Sequence, residues 1–165
     1  MREVLEDLLS AYRSGEPVAM ATVVRTWRSA PRPAGAAMLV TNDQEAVGSV
    51  SGGCVEGALF DVGVEILTDG RPRYEKYGVS DDEAFGVGLT CGGIIEVFAE
   101  RVDQDSWPEL EGIAASIAAQ EAVAVATIVR APEGSQNRVG RHLVVRPDLA
   151  EGSLGTERLD DTVRE

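Results

Sequence analysis

The stretch Val-Ala-Met-Ala-Thr-Val-Val-Arg at residues 18–25 returns as Val-Ala-Val-Ala-Thr-Ile-Val-Arg at residues 123–130, about 105 positions later. Both stretches are rich in the Val, Ala and Thr that favour a buried strand. The match continues with Gly35 and Gly140, with residues 38–40 and 143–145, and, after a one-residue deletion, with Gly48-Ser49 and Gly152-Ser153. One supersecondary unit has therefore been used twice.

Hydrophobic spacing and turn residues extend this unit into a helix, three strands and a second helix. In the first copy we predict a helix over 4–12, strands over 18–26, 36–41 and 45–50, a helix over 55–69, an edge strand over 71–77, a short capped helix from Ser80 and a strand over 94–99. The second copy shows a helical pattern over 110–117 and a strand pattern over 122–130. Together they predict an α/β (α+β) fold with a mixed sheet flanked by helices and an internal strand-loop-strand-strand-helix repeat.

An acidic segment around Trp107-Pro108 divides the chain, and we place a domain border near residue 104. Residues 1–103 then form a complete unit that contains both cysteines. Residues 104–165 form a partial second unit, because the repeat stops inside the helix that matches the one after Cys54. We expect a truncated second copy, from a longer protein or from one whose remainder is encoded separately, whose last residues are poorly ordered unless a partner covers them.

Charge disfavours several classes of function. The 165 residues carry 15 Lys and Arg against 28 Asp and Glu, a formal net charge of −13, whereas a protein that follows phosphate backbones needs a clustered positive surface. No nucleic-acid partner is therefore expected. His142 is the only histidine and Lys76 the only lysine, which disfavours Ser-His-Asp triads, His-rich metal sites and lysine nucleophiles.

The sequence shows neither a secretory nor a membrane-spanning pattern, so we expect a cytoplasmic protein without membrane insertion. In a reducing compartment the two cysteines, Cys54 and Cys91, more often serve chemistry, metal binding or packing than a disulfide. Two thiols and one histidine fall short of the four ligands of structural zinc. No zinc site is predicted.

The first cysteine lies in the loop Ser51-Gly52-Gly53-Cys54, between a strand and a helix. Unpaired N–H groups and the positive dipole end at a helix start stabilise anions, including a thiolate. The glycines allow a ligand to approach the backbone closely. Glu56 is a candidate acid/base beside the thiol, although a carboxylate in a first helical turn is favourable by itself. The loop predicts Cys54 as a nucleophile or soft-metal ligand.

The second copy separates structural residues from site residues. Gly35 and Gly48 have counterparts there, whereas residues 154–158 read Leu-Gly-Thr-Glu-Arg where residues 50–54 read Val-Ser-Gly-Gly-Cys. The fold unit evidently tolerates the loss of the cysteine. This favours a functional Cys54 over the alternative, a small side chain buried after a sharp turn.

A second cysteine flanked by glycines occurs in Gly-Leu-Thr-Cys-Gly-Gly at residues 88–93. Its similarity to the first loop suggests that both thiols line one pocket, with Cys91, Gly92 and Gly93 as further site residues. Packing at a strand start is an equally open role for this cysteine. Arg32 follows the first strand in a loop stiffened by proline, where its guanidinium could bind a phosphate or carboxylate or could remain solvated.

These segments together resemble the N-terminal region of the XdhC/CoxI proteins, maturation factors for the molybdenum hydroxylases xanthine dehydrogenase and carbon monoxide dehydrogenase. The resemblance rests on residues 21–24, 29–32, 35–38, 48–57 and 88–93. It is strong over residues 1–100 and extends to residues 101–165 through the repeat. It identifies a specific family, because two long Gly-Cys motifs occur in the right order.

The sequence departs from the family pattern at two points. No Gly-x-Gly-x-x-Gly follows a strand, whereas full-length members usually continue into a C-terminal Rossmann-type domain, so nucleotide-linked activity is not expected of this polypeptide. In addition, Trp27-Arg28 stands where a Gly-Ser type turn is common.

The resemblance implies a chaperone that binds molybdenum cofactor as cargo, protects it while a cysteine desulfurase installs a sulfur, and helps deliver it to a molybdenum hydroxylase apoenzyme. A pterin dithiolene with a phosphate and a soft metal suits a pocket of glycine-rich backbone, thiolate and arginine. The resemblance then implies Cys54, Cys91 and Glu56 as the catalytic residues. The implied cofactor-binding residues are Ser51, Gly52, Gly53, Cys54, Cys91, Gly92, Gly93 and Arg32. An accessory protein, expected as a homodimer, is favoured over a stand-alone enzyme.

Two other classes of function remain open. One is a thiol-dependent sulfurtransferase or redox protein in which Cys54 carries a persulfide. The other is a non-catalytic interaction module in which both thiols are buried.

Overall fold

A computed structural model describes residues 1–78 and 92–165. The chain divides into two compact units, Met1–Gln104 and Asp105–Glu165. Cys91 and the short helix predicted from Ser80 lie outside the described residues. No helix in the described part of the chain is long and apolar enough to cross a membrane.

The first unit begins with a 3-10 turn, followed by the helix and the strand that the hydrophobic pattern predicted. Helix α1 (Leu5–Ser14) is capped by Gly15, which takes the left-handed conformation (φ 79°) that commonly closes a helix. The elements of this unit are the turn Arg2–Val4, α1 (Leu5–Ser14), β1 (Val18–Trp27), β2 (Ala37–Thr41), β3 (Ala46–Gly48), α2 (Glu56–Asp69), β4 (Arg73–Gly78) and β5 (Ile94–Val102).

The five strands form one sheet in the order β3-β2-β1-β5-β4, and every neighbouring pair is antiparallel. The α+β class is confirmed, but the sheet is not the mixed one that we predicted. The reason is topological: β3 and β4 run in the same direction, yet α2 carries the chain across the sheet and places them on opposite edges. Strand β5 then returns between β4 and β1, so no parallel neighbours arise.

Helix α2 is anchored by the apolar face that its sequence spacing indicated. Leu59 and Ile66 are fully buried in a cluster that includes Val23, Val40 and Val97 of the sheet. The helix approaches β2 so closely that a Cβ on Gly63 would lie 2.6 Å from Cγ2 of Val40. Burial of this apolar surface, at about 25 cal/mol per Å², fixes the helix and with it the loop that precedes its first residue.

The second unit repeats the plan of the first on a smaller scale. Its elements are α3 (Leu110–Ala118), β6 (Ala124–Thr127), β7 (His142–Val145), β8 (Ala150–Gly152) and α4 (Glu157–Arg164). The three strands form an antiparallel sheet in the order β6-β7-β8. Strand β6 is shorter than the predicted 122–130 because, in the described part of the chain, it pairs only with the four-residue β7, whereas β1 is paired along both sides.

The internal repeat is confirmed at the level of single pairings. Thr22 lies opposite Ala37 in the first sheet, and Thr127 lies opposite His142 in the second. The N–H of Gly35 donates to the carbonyl of Val23, and the N–H of Gly140 donates to that of Ile128, both at 2.8 Å. The two hairpins therefore share one register.

Gly48 and Gly152, which end β3 and β8, occupy equivalent and demanding positions. Their φ angles are 87° and 82°. A Cβ would lie 2.5 Å from the carbonyl oxygen of Ala37 in the first unit and 2.5 Å from that of His142 in the second. Both the left-handed conformation and the close approach require glycine, so the structural role predicted for Gly48 follows from its surroundings.

The only histidine of the chain contributes to packing in the second unit. The His142 ring is buried, with its centroid 3.9 Å from that of Trp107. Its Nδ1 lies 3.0 Å from the hydroxyl of Thr127, its partner across the sheet. These contacts fix the imidazole inside the hydrophobic core of that unit.

Candidate functional site

Residues 49–55 form the loop that joins β3 to α2 and carries Cys54. The cysteine precedes the helix by two residues, is half-buried, and packs against the cluster beneath α2. Gly52 and Gly53 are exposed, with φ angles of 73° and 112°. These left-handed residues keep the chain off the helical path, so the helix begins only at Glu56.

The carboxylate of Glu56 holds this loop together. Its Oε1 accepts hydrogen bonds from the hydroxyl of Ser49 (2.7 Å) and from the amides of Val50 (3.1 Å) and Ser51 (2.9 Å). Its Oε2 accepts from the hydroxyl of Ser51 (2.5 Å) and from the amides of Gly53 (2.8 Å) and Val55 (3.2 Å). The loop is thus wrapped around a side chain from the first turn of its own helix.

This environment fixes the protonation state of Glu56. Burial alone would raise the pKa of the carboxyl, but the hydrogen bonds from Ser51 and Ser49 outweigh it and lower the pKa to about 2. At neutral pH Glu56 therefore has no proton to donate, and both its oxygens are engaged. The acid/base role stays a prediction, while the geometry supports positioning of the loop.

The backbone amides of the loop are also engaged within it. The Gly52 amide donates to the hydroxyl of Ser49 (2.9 Å), and the Val55 amide donates to that of Ser51 (3.0 Å) as well as to Glu56. An external phosphate would thus find these N–H groups occupied and a carboxylate beside them. The amide cradle for a cofactor phosphate does not fit this loop, whereas the soft Sγ of Cys54 suits a metal- or sulfur-bearing group.

Two serines, Ser49 and Ser51, hold the loop by donating hydrogen bonds to Glu56. Ser51 is 1% exposed and its hydroxyl donates to Glu56, so its direct contact with a cofactor remains a prediction. Ser49 was absent from the predicted site. The available signal was its match with Ser153 together with the carboxylate that follows each serine seven residues later, Glu56 and Asp160.

The loop after β1 reaches the other glycine-rich segment. A Cβ on Gly93 would lie 2.7 Å from the carbonyl oxygen of Ser29, so the two segments are in contact at this point. Ala30, the next residue, packs against the same cluster as Cys54. Gly93 of the second Gly-Cys motif therefore lies against the loop after β1, while Cys91 lies outside the described residues, so the pocket lined by both thiols stays a prediction.

Arg32 is engaged by a neighbouring acid. Its guanidinium forms an ion pair with Glu3, and its Nε is buried without a hydrogen-bond partner in residues 1–78 and 92–165. Contact with a cofactor remains a prediction for this residue. Over the same residues, no group of three or more His, Cys, Asp and Glu side chains is placed to hold a metal ion.

The second unit contains a reduced version of the loop. The hydroxyl of Ser153 and the amide of Leu154 donate to Asp160, each at 2.7 Å. These hydrogen bonds lower the pKa of Asp160. Helix α4 starts at Glu157 after the cap Thr156, and Arg158 occupies the position of Cys54. The second loop therefore has the hydrogen bonds between serine and carboxylate but lacks the thiol.

Comparison with known proteins places the chain in a family. The model of the XdhC and CoxI family matches residues 11–78 and 116–165, and the second range starts 105 residues after the first, at the offset of the internal repeat. The chain belongs to the XdhC and CoxI family, as the sequence resemblance indicated.

Curated relatives and a solved structure agree with this assignment. The chain is 38% identical over 101 residues, 61% of its length, to the molybdenum cofactor insertion chaperone PaoD of Escherichia coli. It is 38% identical over 94 residues, 54% of its length, to a Bacillus subtilis protein described as a probable subunit of xanthine dehydrogenase. It spans 31% and 28% of these two proteins.

The solved structure matches nearly the whole chain. It comes from Bacillus halodurans, is described as a xanthine dehydrogenase, and superposes with a TM-score of 0.77 at 26% identity. The match covers 98% of this chain and 48% of the other. The likeness therefore extends over both units.

Proposed function

We propose that this chain acts in molybdenum cofactor maturation, holding the cofactor as cargo at the Cys54 loop and helping its insertion into a molybdenum hydroxylase of the xanthine or carbon monoxide dehydrogenase type. Membership of the XdhC and CoxI family supports the role. The relative described as a molybdenum cofactor insertion chaperone supports the cargo. The proposal concerns only the part of such proteins that this sequence spans.

One observation carries the assignment of the site. Among the described residues, two loops share the serine-carboxylate scaffold. The second has one left-handed glycine, Gly155, whereas only the first has two in succession, Gly52 and Gly53, followed by a thiol. The scaffold alone therefore accounts for neither the glycines nor Cys54. A site that binds a soft metal or sulfur accounts for both.

Each residue type of the loop has a separate role in holding the cofactor. Cys54 supplies a soft donor toward the metal or its sulfur ligands. A Cβ added at Gly52 or Gly53 would meet nothing within 4 Å, so a flat ligand can approach their backbone closely. Glu56 acts as a positioning residue, because it accepts hydrogen bonds from the amides of Val50 and Val55, on either side of the glycines, and these bonds keep the loop open. The bound cofactor would supply the molybdenum and dithiolene chemistry.

The proposed partners follow from this role. They are the apoenzyme that receives the cofactor and a cysteine desulfurase that supplies sulfur while the cofactor is held, with the chaperone itself acting as a homodimer in the cytoplasm. The net charge of −13 offers an acidic surface for docking a basic partner face. Size-exclusion chromatography with light scattering measures the oligomeric state, and a monomer would remove the homodimer from the proposal.

Molybdopterin content after purification tests the function. The chain is produced in cells that make abundant cofactor, and the bound molybdopterin is measured as its fluorescent oxidation product. We expect wild type to retain cofactor and Cys54→Ser to lose it at least about tenfold, as removal of one strong contact implies. The matched control is Arg158→Ser, which changes the equivalent residue of the second copy and should retain wild-type content.

Two results would contradict the proposal. Equal molybdopterin in Cys54→Ser and wild type would remove Cys54 from the site. No molybdopterin in the wild-type chain from fully loaded cells would remove cargo binding from this polypeptide.

A further inference from the structure

A pocket of about 250 Å³ lies across three neighbouring strands of the first sheet. Its lining residues are Arg25, Thr26 and Trp27 on β1, Lys76 on β4, and Ile94 and Glu96 on β5. The sheet register explains why they meet, since Arg25 and Lys76 both lie opposite Glu96, and Trp27 lies opposite Ile94. Backbone pairing thus fixes the walls of the pocket.

This pocket and the Cys54 loop belong to opposite faces of the sheet. Ile95 and Val97 join the cluster beneath α2, against which Cys54 also packs. Because side chains alternate along a strand, Ile94 and Glu96 point to the other face. The pocket is a separate site, and its test is independent of the proposed function.

The pocket combines an exposed aromatic ring with two exposed cations. Trp27 is 59% exposed, whereas a large aromatic ring ordinarily buries most of its area. Arg25 and Lys76 are exposed and form no ion pair with any residue of the described ranges. Glu96 accepts a hydrogen bond from the hydroxyl of Tyr74 (2.5 Å). Two cations thus face one carboxylate in a chain whose net charge is −13.

We propose that this pocket binds a small planar aromatic phosphate. The ring stacks on the indole of Trp27, and the phosphate contacts both Arg25 and Lys76, whose two positive charges outweigh the single Glu96 carboxylate that lies between them. Indole faces stack well with planar heteroaromatic rings, and arginine and lysine are the usual phosphate-binding side chains. The volume of about 250 Å³ is just below the range of pockets for drug-sized molecules, so the site suits one ring system with one anionic group.

Tryptophan fluorescence tests the proposal with GMP as the probe. Trp107 is 3% exposed, so quenching by a bound ring reports on Trp27. We expect saturable quenching by GMP, binding at least about tenfold weaker for guanosine, and competition without quenching by inorganic phosphate. Lys76→Gln should weaken GMP binding about tenfold, whereas Arg71→Gln, an exposed arginine outside the pocket, should leave it unchanged.

Calorimetry with Trp27→Leu gives a second measurement that does not depend on fluorescence, and the substitution is exposed enough to leave folding intact. We expect this variant to lose GMP binding. The proposal is overturned if wild type shows no saturable GMP binding at millimolar concentration. It is also overturned if guanosine binds as tightly as GMP, or if Trp27→Leu binds GMP like wild type.

Discussion

The loops of residues 49–56 and 153–160 follow equivalent strands, β3 and β8, but lead into their helices differently. In both, a serine hydroxyl donates to a carboxylate seven residues later at 2.7 Å, from Ser49 to Glu56 and from Ser153 to Asp160. In the second loop the helix begins at Glu157, the position that matches Gly53. In the first loop that helical turn is replaced by two left-handed glycines.

The difference lies in the first turn of the helix that follows each loop. Because the first helical turn is unwound, its amides point toward the Glu56 carboxylate. The Glu56 side chain has one methylene more than that of Asp160, so its carboxylate reaches donors on both sides of the glycines. The half-buried residue 54 then lies on a loop in place of a helix. An internal carboxylate occupies the anion site that a helix start ordinarily offers to a ligand.

Glu56→Gln is the substitution with the largest expected effect. An amide places N–H donors against the donors of the loop, so we expect a loss of about 2–3 kcal/mol in the free energy of unfolding, allowing for partial solvent screening. Asp160→Asn should cost less, because fewer hydrogen bonds converge on it. Urea denaturation measures both, with Glu45→Gln, an exposed turn carboxylate, as the control. Equal losses for Glu56→Gln and Asp160→Asn would contradict the comparison.

The same carboxylate gives the first unit a specific acid dependence. The folded pKa of Glu56, about 2, lies below its ordinary value of 4.5, so its stabilising contribution is complete above about pH 4.5 and is lost as the pH falls toward 2. Denaturation midpoints between pH 2 and 7 should therefore fall more steeply in wild type than in Glu56→Gln. Parallel curves for the two proteins would show that Glu56 is not held in this way.

Glycines that both loops share should be more sensitive than those confined to the first. A Cβ at Gly48 or Gly152 meets a carbonyl oxygen at 2.5 Å, so we expect Gly48→Ala and Gly152→Ala each to cost about 2 kcal/mol. Gly57→Ala is the control, because Gly57 lies in α2 with nothing within 4 Å, and alanine there should stabilise by about 0.5–1 kcal/mol. Thermal unfolding of the three variants checks this order.

The smallest expected effects concern the matched positions Gly52 and Thr156. Gly52 has a φ of 73° with open space around it, so Gly52→Ala should cost about 1 kcal/mol from backbone strain alone. Thr156 caps α4 through a long hydrogen bond of 3.4 Å to the Leu159 amide, and Thr156→Ala should cost about 0.5 kcal/mol. The ranking is wrong if Gly52→Ala or Thr156→Ala lowers the free energy of unfolding by more than Gly48→Ala does.

The sequence was sufficient for features that depend on local pattern. The repeated Val-Ala-Thr strand predicted β1 and β6, the apolar spacing predicted α2, and the paired Gly48 and Gly152 indicated a structural role. The antiparallel sheet was not predictable from such patterns, because it depends on which edge α2 carries the chain to. Local spacing carries no information on that choice.

The loop around Cys54 was predicted in position, but its internal hydrogen bonding was not. The sequence pattern places the cysteine between a strand and a helix, where the structure has it. The role of Glu56 depends on how far its side chain reaches back along the loop, which a one-dimensional pattern does not show. Comparison of the two copies had the necessary signal in Ser49 and Ser153, since each serine precedes a carboxylate by seven residues.

We propose that only the first copy of the repeat holds the cofactor. Hydrogen-deuterium exchange with and without molybdenum cofactor tests it most directly, because peptides from both loops are followed in one sample. We expect cofactor to slow amide exchange in residues 49–56 and to leave residues 153–160 unchanged. Equal protection of the two loops, or protection of residues 153–160 alone, would show that the cofactor is not held by the first copy specifically.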